Sequence, residues 1–332
     1  MQPGAVKGII QMATTAAETL GTPRPEIGDM LTEFDLEQNR AGFVGMKLAP
    51  VIDVPKGFGP FARLKLKDIL RKRVDTSRGA GGSYGRDSAE FNKDSYTCED
   101  HGFEEAVDLR EAEFYDSWID AEVLAAERAR NMVLQDYESR VVTLANAVTN
   151  TTAIGTDWKT TATCSPIDDI RTAKVKVRNR CGLMPNALCI EWEVFEHLRD
   201  CAQILDRVKQ QTFRDVTKSQ VNADMIAGAL GLEEVIVAGG MENTANEAST
   251  AVLASLWTAD NGLLYVKNDS KDLKTPRWAN TFHWSQDGSS MGQLVESYES
   301  AAIRSIVMRC RADTDEKQMY DECAELLTGL AT

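Results

Sequence analysis

The chain has 332 residues, of which 43% are hydrophobic and 27% charged, a balance typical of a folded protein with a substantial core. Its formal net charge of −14 argues against a sequence-specific DNA-binding protein, because such a charge repels nucleic acid on average. Residues 1–20 lack the unbroken apolar core of a signal peptide, and no later segment approaches the roughly 20 apolar residues of a membrane span. We therefore expect a cytoplasmic protein.

The first 60 residues contain most of the prolines of the chain, including the pieces Pro23-Arg24-Pro25 and Lys56-Gly57-Phe58-Gly59-Pro60. Prolines at this density cannot sustain a helix, and the segment has too few apolar repeats for a core of its own. We predict an extended arm that needs a surface to lie on.

Residues 61–97 predict a two-stranded projecting loop, because short alternating apolar positions lead into the glycine-rich stretch Gly79–Gly85. A phosphate-binding loop is the alternative for these glycines, but no Gly-Lys-Ser/Thr follows them. We expect a flexible tip.

Two blocks of opposite charge adjoin this loop. Residues 56–86 hold nine basic and two acidic side chains, a local charge of +7, whereas residues 99–122 hold ten acidic side chains and Arg110, a local charge of −9. The blocks could pair within one chain or between copies of it. Two alternatives remain at this point: Arg71-Lys72-Arg73 could contact nucleic acid, and the acidic block could supply catalytic carboxylates.

Apolar residues recur at helical spacing from Ile119 to Val148 without Pro or Gly, which predicts one helix of roughly 45 Å. Ser165-Pro166 predicts the capped start of a second helix that reaches about Arg180.

Beyond Arg180 the pattern alternates between short strands and helices, which predicts a separate α/β lobe. The predicted elements of this lobe are a strand at 187–190, helices at 194–208 and 219–230, and a strand at 235–238. Further strands are predicted near 253–256, 263–266, 281–284 and 297–309, and the end from 315 to 330 fits either a helix or a turn and strand.

No motif in the sequence predicts catalysis, a cofactor or a metal. His101, His197 and His283 share no ligand spacing, and no cysteine lies in a nucleophile context. The seven cysteines form no C-x-x-C pair, so we predict reduced, buried thiols that act as small apolar residues. A soluble α/β enzyme with its site in residues 176–254 remains the alternative of a different class.

The order of these parts resembles the major capsid proteins of tailed bacteriophages, which have the Hong Kong 97 fold. Short pieces are similar to the subgroup that includes the lambda-type capsid proteins, namely Asp108-Leu109-Arg110-Glu111-Ala112, Met184–Ile190, Ala254–Trp257, Leu264–Val266 and Cys323–Leu327. The resemblance covers nearly the whole chain.

The resemblance implies an α+β capsid fold with four parts. These are an N-terminal arm at 1–60, an extended β-hairpin loop at 61–97, a peripheral domain at 98–175 and 255–332 with a spine helix at about 117–148, and an axial α/β domain at 176–254.

The resemblance also implies a non-enzymatic subunit that self-assembles through hexamers and pentamers into the icosahedral head around double-stranded DNA. The implied partners are other copies of the chain, a separate scaffolding protein, a portal, an optional decoration protein and, weakly and without specificity, the packaged DNA. Assembly is expected in the host cytoplasm, without a membrane and without a cofactor. An encapsulin-like compartment is the alternative within the same fold. Some family members cross-link their subunits, but the residues for that reaction cannot be placed here, and we predict no cross-link.

Three surfaces are predicted to contact neighbouring subunits. The extended loop is expected to contribute Arg63, Lys65, Lys67, Arg71, Lys72 and Arg73. An acidic surface is expected to contribute Glu104, Glu105, Asp108 and Glu111. The loop that faces the capsomer axis is expected to contribute Glu242, Asn243 and Asn246.

Overall fold

A computed structural model of the protein describes residues 22–23, 42–70, 72, 76–86, 90–110, 120–212, 217–245, 250, 252–268, 275–285, 290–292 and 294–331. The described residues form two compact units. The first comprises those within 1–33, 101–133 and 292–312, and the second those within 34–100, 134–291 and 313–332. This division follows packing within the chain, so the predicted boundaries of arm, loop, peripheral and axial domain stay predictions.

The described chain contains both strands and helices throughout its length. In chain order the strands are β1 Thr22–Pro23, β2 Val51–Asp53, β3 Phe58–Leu64, β4 Phe91–Thr97, β5 Glu99–Asp108, β6 Thr151–Ala153, β7 Ala187–Glu191, β8 Glu234–Ala238, β9 Met241–Asn243, β10 Leu253–Ser255, β11 Asn261–Tyr265, β12 Ala279–His283, β13 Val295–Ser300, β14 Ser305–Gln318 and β15 Ala324–Thr328. The α-helices are α1 Gly45–Leu48, α2 Leu66–Ile69, α3 Ala121–Asn146, α4 Pro166–Cys181, α5 Trp192–Asp200, α6 Ala202–Thr212 and α7 Ala223–Leu230. Two 3₁₀ turns lie at Lys218–Gln220 and Asp321–Cys323.

The second unit is built on a five-stranded sheet with the strand order β6-β15-β11-β7-β8. Strand β7 is buried at every position, as expected for an inner strand covered on both faces. Side chains from the sheet, among them Leu188, Ile190 and Leu264, share one apolar core with residues of α4, α5, α6 and α7. In the same unit, β12 pairs antiparallel with the last part of β14 and parallel with β2.

In the first unit, β13 pairs antiparallel with the first part of β14, β1 lies along β13, and β5 pairs with β14. The sequence predicts a single strand over 297–309, and the structure corrects this to two strands. The turn between them contains no Gly or Pro, and Arg304 takes the positive φ of 51° that usually marks a glycine or asparagine. The residue types therefore carry no turn signal.

Helix α3 is the long helix that the apolar spacing predicts, with 26 residues and a length of about 39 Å. Asp120 caps its start, since Oδ1 accepts hydrogen bonds from the backbone N–H groups of Glu122 (3.1 Å) and Val123 (3.2 Å). The apolar positions Ala126, Val133, Tyr137 and Val141 are buried. Residues of this helix belong to both units.

Two segments that the sequence predicts as single helices are each divided in the structure. Residues 194–208 form two helices, because the backbone of Cys201 is extended (φ −65°, ψ 127°). Both helices bury their apolar side chains in the same core, so the periodicity continues across the break. Residues 219–230 likewise divide into a 3₁₀ turn and α7, which Asn222 caps with its side chain.

Ser165 occupies the N-cap position of α4 but makes no side-chain capping hydrogen bond. Its backbone oxygen accepts from Asp168 N (3.0 Å) and Asp169 N (3.1 Å) instead. The end from 315 to 330 consists of the last part of β14, a 3₁₀ turn and β15, which is the turn-and-strand alternative.

All seven cysteines are free thiols; six are buried and Cys98 is half-buried. Within the described ranges, no helix is both long and apolar enough to cross a membrane. In the same residues, no group of three or more His, Cys, Asp or Glu side chains could hold a metal ion.

Candidate assembly surfaces

Strands β3 and β4 form a hairpin of the second unit whose base packs on β12. They pair antiparallel from Phe58↔Thr97 to Leu64↔Phe91. The rings of Phe61 and Tyr96 lie on Phe282 with centroid distances of 5.2 and 4.7 Å. This end of the hairpin is therefore held by an aromatic cluster of its own chain.

Two of the predicted contact residues are bound within the hairpin region. Arg63 forms an ion pair with Asp94 (2.9 Å), donates a hydrogen bond to the backbone oxygen of Met319, and lies over the ring of Tyr320. Lys65 pairs with Glu90, and the hydrogen bond to this carboxylate raises the pKa of the Lys65 ammonium. The cleft beside them has a volume of about 720 Å³ and is lined by charged residues of both signs.

The outer part of the hairpin has a different surface. Every residue from Thr76 to Arg86 is exposed, and the guanidinium of Arg78 lies over the ring of Tyr84 at 5.1 Å. Phe91, at the outer end of β4, is exposed, and Phe58, at the opposite end of the strand pair, is 73% exposed. Exposed aromatic side chains on a strand pair are typical of a surface that another chain covers.

Residues 42–54, one described part of the predicted arm, lie on α3 and β12. Glu138 of α3 is buried, and its carboxylate accepts hydrogen bonds from Val44 N (3.1 Å), Gly45 N (2.6 Å) and Trp257 Nε1 (2.7 Å). Burial raises the pKa of Glu138, although the three donors counteract that effect. One carboxylate thus joins the arm, the long helix and the segment after β10.

Further hydrogen bonds beside Glu138 also hold the arm to the rest of the chain. Tyr137 Oη is hydrogen-bonded to Thr281 Oγ1 (2.7 Å), and Thr281 Oγ1 donates to the backbone oxygen of Ala49 (3.1 Å). His283 Nδ1 lies 3.0 Å from Asp53 Oδ1, beside the parallel pairing of β2 and β12. The end of the arm is therefore bonded to its own chain through both backbone and side chains.

The predicted acidic surface lies on β5 in the first unit. Glu104 accepts hydrogen bonds from Arg309 Nε (2.6 Å) and Tyr298 Oη (3.0 Å), and Glu105 pairs with Arg128 (2.7 Å). Asp108 accepts from the backbone N–H of Arg110 (2.8 Å). Three of the four predicted acidic contacts thus have partners in their own chain, and Glu111 lies outside the described residues.

The hairpin of β9 and β10 contains the predicted loop at the capsomer axis. Asn243 Oδ1 accepts from Ala245 N (3.1 Å) and Val252 N (3.0 Å), so this side chain shapes the hairpin itself. Glu242 is half-buried, and Asn246 lies outside the described residues. The prominent exposed side chains are apolar instead, with Leu253 66% exposed and Met241 and Val252 also exposed.

Comparisons with known proteins identify the fold. No protein-family model matches the chain. Its sequence is 23% identical over 246 residues to the major capsid protein of Burkholderia phage BcepMu, with 72% of this chain and 76% of that protein covered. The crystal structure of a phage-related protein from Bordetella bronchiseptica has a TM-score of 0.63 at 18% identity, covering 93% of this chain and 98% of that chain.

Two assembled particles share the same fold. The capsid structure of cyanophage P-SCSP1u matches with a TM-score of 0.54 at 10% identity, over 86% of this chain and 88% of that chain. The holo-SrpI encapsulin complex from Synechococcus elongatus matches with a TM-score of 0.52 at 11% identity, over 86% of each chain. This chain has the Hong Kong 97 capsid fold. The α+β fold prediction is confirmed.

The predicted contact residues have different surroundings in the structure. Arg63, Lys65, Glu104 and Glu105 are engaged within the chain, whereas Lys72 is exposed. The side chain of Lys67 and the whole of Arg71 and Arg73 lie outside what the structure describes. Contacts of all these residues with other subunits stay predictions.

Sequence reasoning did not single out the buried carboxylates of the fold, among them Glu138 and Glu325. Glu325 of β15 is buried, forms an ion pair with Arg180 (2.5 Å), and accepts a hydrogen bond from Thr152 Oγ1. The available signal was an acidic residue inside an apolar stretch, as in Ala324-Glu325-Leu326-Leu327. Nothing in a single sequence indicates which donors will surround such a residue.

Proposed function

We propose that this chain is the major capsid subunit of a tailed bacteriophage and assembles through hexamers and pentamers into the icosahedral head around double-stranded DNA. The capsid fold and the sequence similarity to the major capsid protein of phage BcepMu support this function. In this role the chain is structural, and we assign it no catalytic activity and no cofactor.

The observation that carries the proposal is the surface of the β3–β4 hairpin. Among the described residues, β3 and β4 pair only with each other, so no further strand covers either outer edge. Phe58, Phe91 and Tyr84 add exposed aromatic area. An open strand edge with exposed apolar side chains promotes aggregation of a monomer, whereas a closed assembly buries it.

The exposed basic residues of this hairpin are the best candidates for contact with a neighbouring copy. Because Arg63 and Lys65 already have partners, we assign this role to Lys72, Arg78 and Arg86. The acidic partners would include Glu99 and Asp100, which are exposed. Charge complementarity of this kind orients subunits more than it adds affinity.

Lys67, Arg71, Arg73 and Glu111 remain candidates for the same contact on the basis of sequence alone. The alternative for the basic run is contact with packaged DNA. The net charge of −14 favours the contact between subunits, and it limits any binding of DNA to weak, unspecific contact.

At the capsomer axis, we extend the proposed contact from Glu242, Asn243 and Asn246 to the exposed apolar residues Met241 and Leu253. The remaining partners are a separate scaffolding protein, a portal and an optional decoration protein. Assembly takes place in the host cytoplasm, and the final location is the virion.

Negative-stain electron microscopy of the purified chain, alone and with its scaffolding protein, tests the proposal. We expect closed particles or capsomers in at least one of these preparations. Compact monomers or dimers under every condition would refute the capsid function and would favour the α/β enzyme.

An encapsulin-like compartment is the second candidate, because the encapsulin of Synechococcus elongatus has the same fold. The contents of particles isolated from cells distinguish the two. Nuclease-protected double-stranded DNA supports the phage head, and a packaged protein without DNA supports the compartment.

A further inference from the structure

Two buried thiols of the second unit lie unusually close together. The Sγ atoms of Cys164 and Cys201 are 3.1 Å apart, and the residues are 4% and 0% exposed. A disulfide bond measures about 2.05 Å between its sulfurs, so the two atoms need to approach each other by about 1 Å to bond.

The backbone on both sides of this thiol pair is held together by hydrogen bonds. Ala202 N donates to the backbone oxygen of Thr161 (3.1 Å). Gln203 accepts from Ile167 N at Oε1 (3.0 Å) and donates from Nε2 to Asp168 Oδ2 (3.1 Å). The segment before α4 and the junction of α5 and α6 are thus held together, which keeps the backbones of the two cysteines close to each other.

The surroundings favour the reduced form inside a cell. The apolar side chains of Ile170, Leu198 and Ile204 belong to the same core as both thiols. Burial raises the pKa of the Cys164 thiol to about 12, and its hydrogen bond with Cys201 adds to that effect. Since thiol oxidation begins from the thiolate, oxidation of this pair is slow and needs an oxidant small enough to enter the core.

We propose that Cys164 and Cys201 are a modification site at which a small peroxide oxidant forms a disulfide. One thiolate attacks hydrogen peroxide, the O–O bond breaks, and a sulfenic acid and hydroxide form. The second thiolate then attacks the sulfenic sulfur and expels hydroxide as the S–S bond forms. In total the two thiols lose two protons and two electrons, and one peroxide becomes two waters.

The timing of this step rests on the proposed capsid function. A subunit made in the reducing cytoplasm keeps both thiols, whereas a particle released by lysis meets oxidising conditions. The disulfide would then close a loop between positions 37 residues apart and join the start of α4 to the α5–α6 junction. Thiol pairing itself does not depend on assembly.

The test treats the purified full-length chain with hydrogen peroxide, alkylates the remaining thiols under denaturing conditions, and maps the peptides by mass spectrometry. We expect a peptide pair linked through Cys164 and Cys201 that is two hydrogens lighter than its reduced form. The melting midpoint of the oxidised chain should rise by about 5–10 °C, as for other disulfides that close loops of this length.

Three variants make the assignment specific. Cys164→Ser and Cys201→Ser should each lose both the linked peptide and the rise in melting midpoint, while Cys98→Ser should keep both. Cys181 is a competing site of oxidation, because a hydrogen bond with Cys323 lowers the pKa of its thiol and makes it more reactive.

A linkage of Cys181 to Cys323 without one between Cys164 and Cys201 would overturn the proposal, as would alkylation of both thiols in the treated wild-type chain. The wild-type mapping alone decides the matter if a serine variant does not fold. Electron microscopy of the same sample distinguishes a failure of the disulfide proposal from a failure of the proposed capsid function. Particles with reduced Cys164 and Cys201 would refute the disulfide and leave the capsid function intact, and a disulfide without particles would do the reverse.

Discussion

Residues 42–54 belong to the predicted arm and residues 76–86 to the predicted extended loop. The sequence predicts that the arm needs a surface to lie on and that the loop has a flexible tip. The structure describes contrasting surroundings for them. Residues 42–54 donate to Glu138, pair with β12 and pack beside Tyr137. Residues 76–86 are exposed along their whole length.

The difference indicates which contacts one chain supplies for itself. The arm lies beside the buried carboxylate of Glu138, and its strand β2 pairs with β12. Its polar backbone groups therefore have partners within the fold. The outer hairpin carries Arg78, Arg86 and exposed aromatic rings without such a surface among the described residues. Substitutions in the two regions should therefore act on different quantities, stability in the first and assembly in the second.

The largest effect is expected at the base of the hairpin. Phe282→Ala removes the buried ring on which Phe61 and Tyr96 pack, and should lower the free energy of unfolding by about 3–5 kcal/mol. Urea denaturation of the unassembled chain measures the change. Phe58→Ala is the matched control, because this ring is exposed and its loss should change stability by less than about 0.5 kcal/mol. Equal losses in the two variants would contradict the role of the buried aromatic cluster in holding the hairpin.

Removal of the carboxylate that holds the arm should have the next largest effect. Glu138→Ala leaves Val44 N, Gly45 N and Trp257 Nε1 without an acceptor, and should cost about 2–4 kcal/mol. Glu138→Gln keeps one amide oxygen as acceptor and should cost less. The exposed Glu322→Ala serves as control in the same denaturation experiment, and a loss as large as that of Glu138→Ala would contradict the assignment.

Gly45→Ala should destabilise the chain by about 1–3 kcal/mol, because the added methyl group overfills a packed site. A Cβ at this position would lie 2.7 Å from Glu138 Oε2 and 2.9 Å from Tyr137 Cε1. Thermal unfolding of the variant measures the change, with Gly155→Ala as control, since a Cβ there meets no atom within 4 Å. A neutral Gly45→Ala would show that the arm is not closely seated.

A smaller effect should appear as a dependence on pH. The pKa of Glu138 is raised above its ordinary value of 4.5 in the fold. Above pH 4.5 the unfolded chain loses this proton first, which favours unfolding, so the contribution of Glu138 is complete below pH 4.5 and declines as pH rises through the raised pKa. The stability of the wild type relative to Glu138→Gln should therefore decrease over that range in denaturation curves at several pH values. A difference that grows with pH would contradict the direction of the shift.

The smallest effect on stability and the clearest effect on assembly are expected at the hairpin tip. The double variant Arg78→Glu and Arg86→Glu should unfold within about 0.5 kcal/mol of the wild type, since both side chains are exposed. Its particle yield in electron microscopy should fall roughly tenfold, because it places like charges against an acidic neighbour. The double variant Lys159→Glu and Arg207→Glu makes the same charge change at exposed positions elsewhere in the second unit. An equal fall in both variants would indicate an effect of net charge alone.

The sequence by itself determined the elements that follow from local periodicity. The apolar spacing around Val133, Tyr137 and Val141 predicts α3, and the short apolar run at Ala187 predicts β7, because each pattern records which side chains face a core. The order of such elements, together with short similar pieces, carries the resemblance to capsid proteins that predicts the fold.

Only the tertiary structure decided where the polar side chains find partners. Arg63 and Lys65 bind acidic residues 31 and 25 positions away along the chain, at Asp94 and Glu90, and Glu138 binds an arm more than 90 positions away. A charge carries no record of its partner in a single sequence, because attraction depends on distance in space and on the loss of water around both groups. For the same reason, only the packing of α4 against α5 and α6 brings Cys164, before α4, next to Cys201, between α5 and α6.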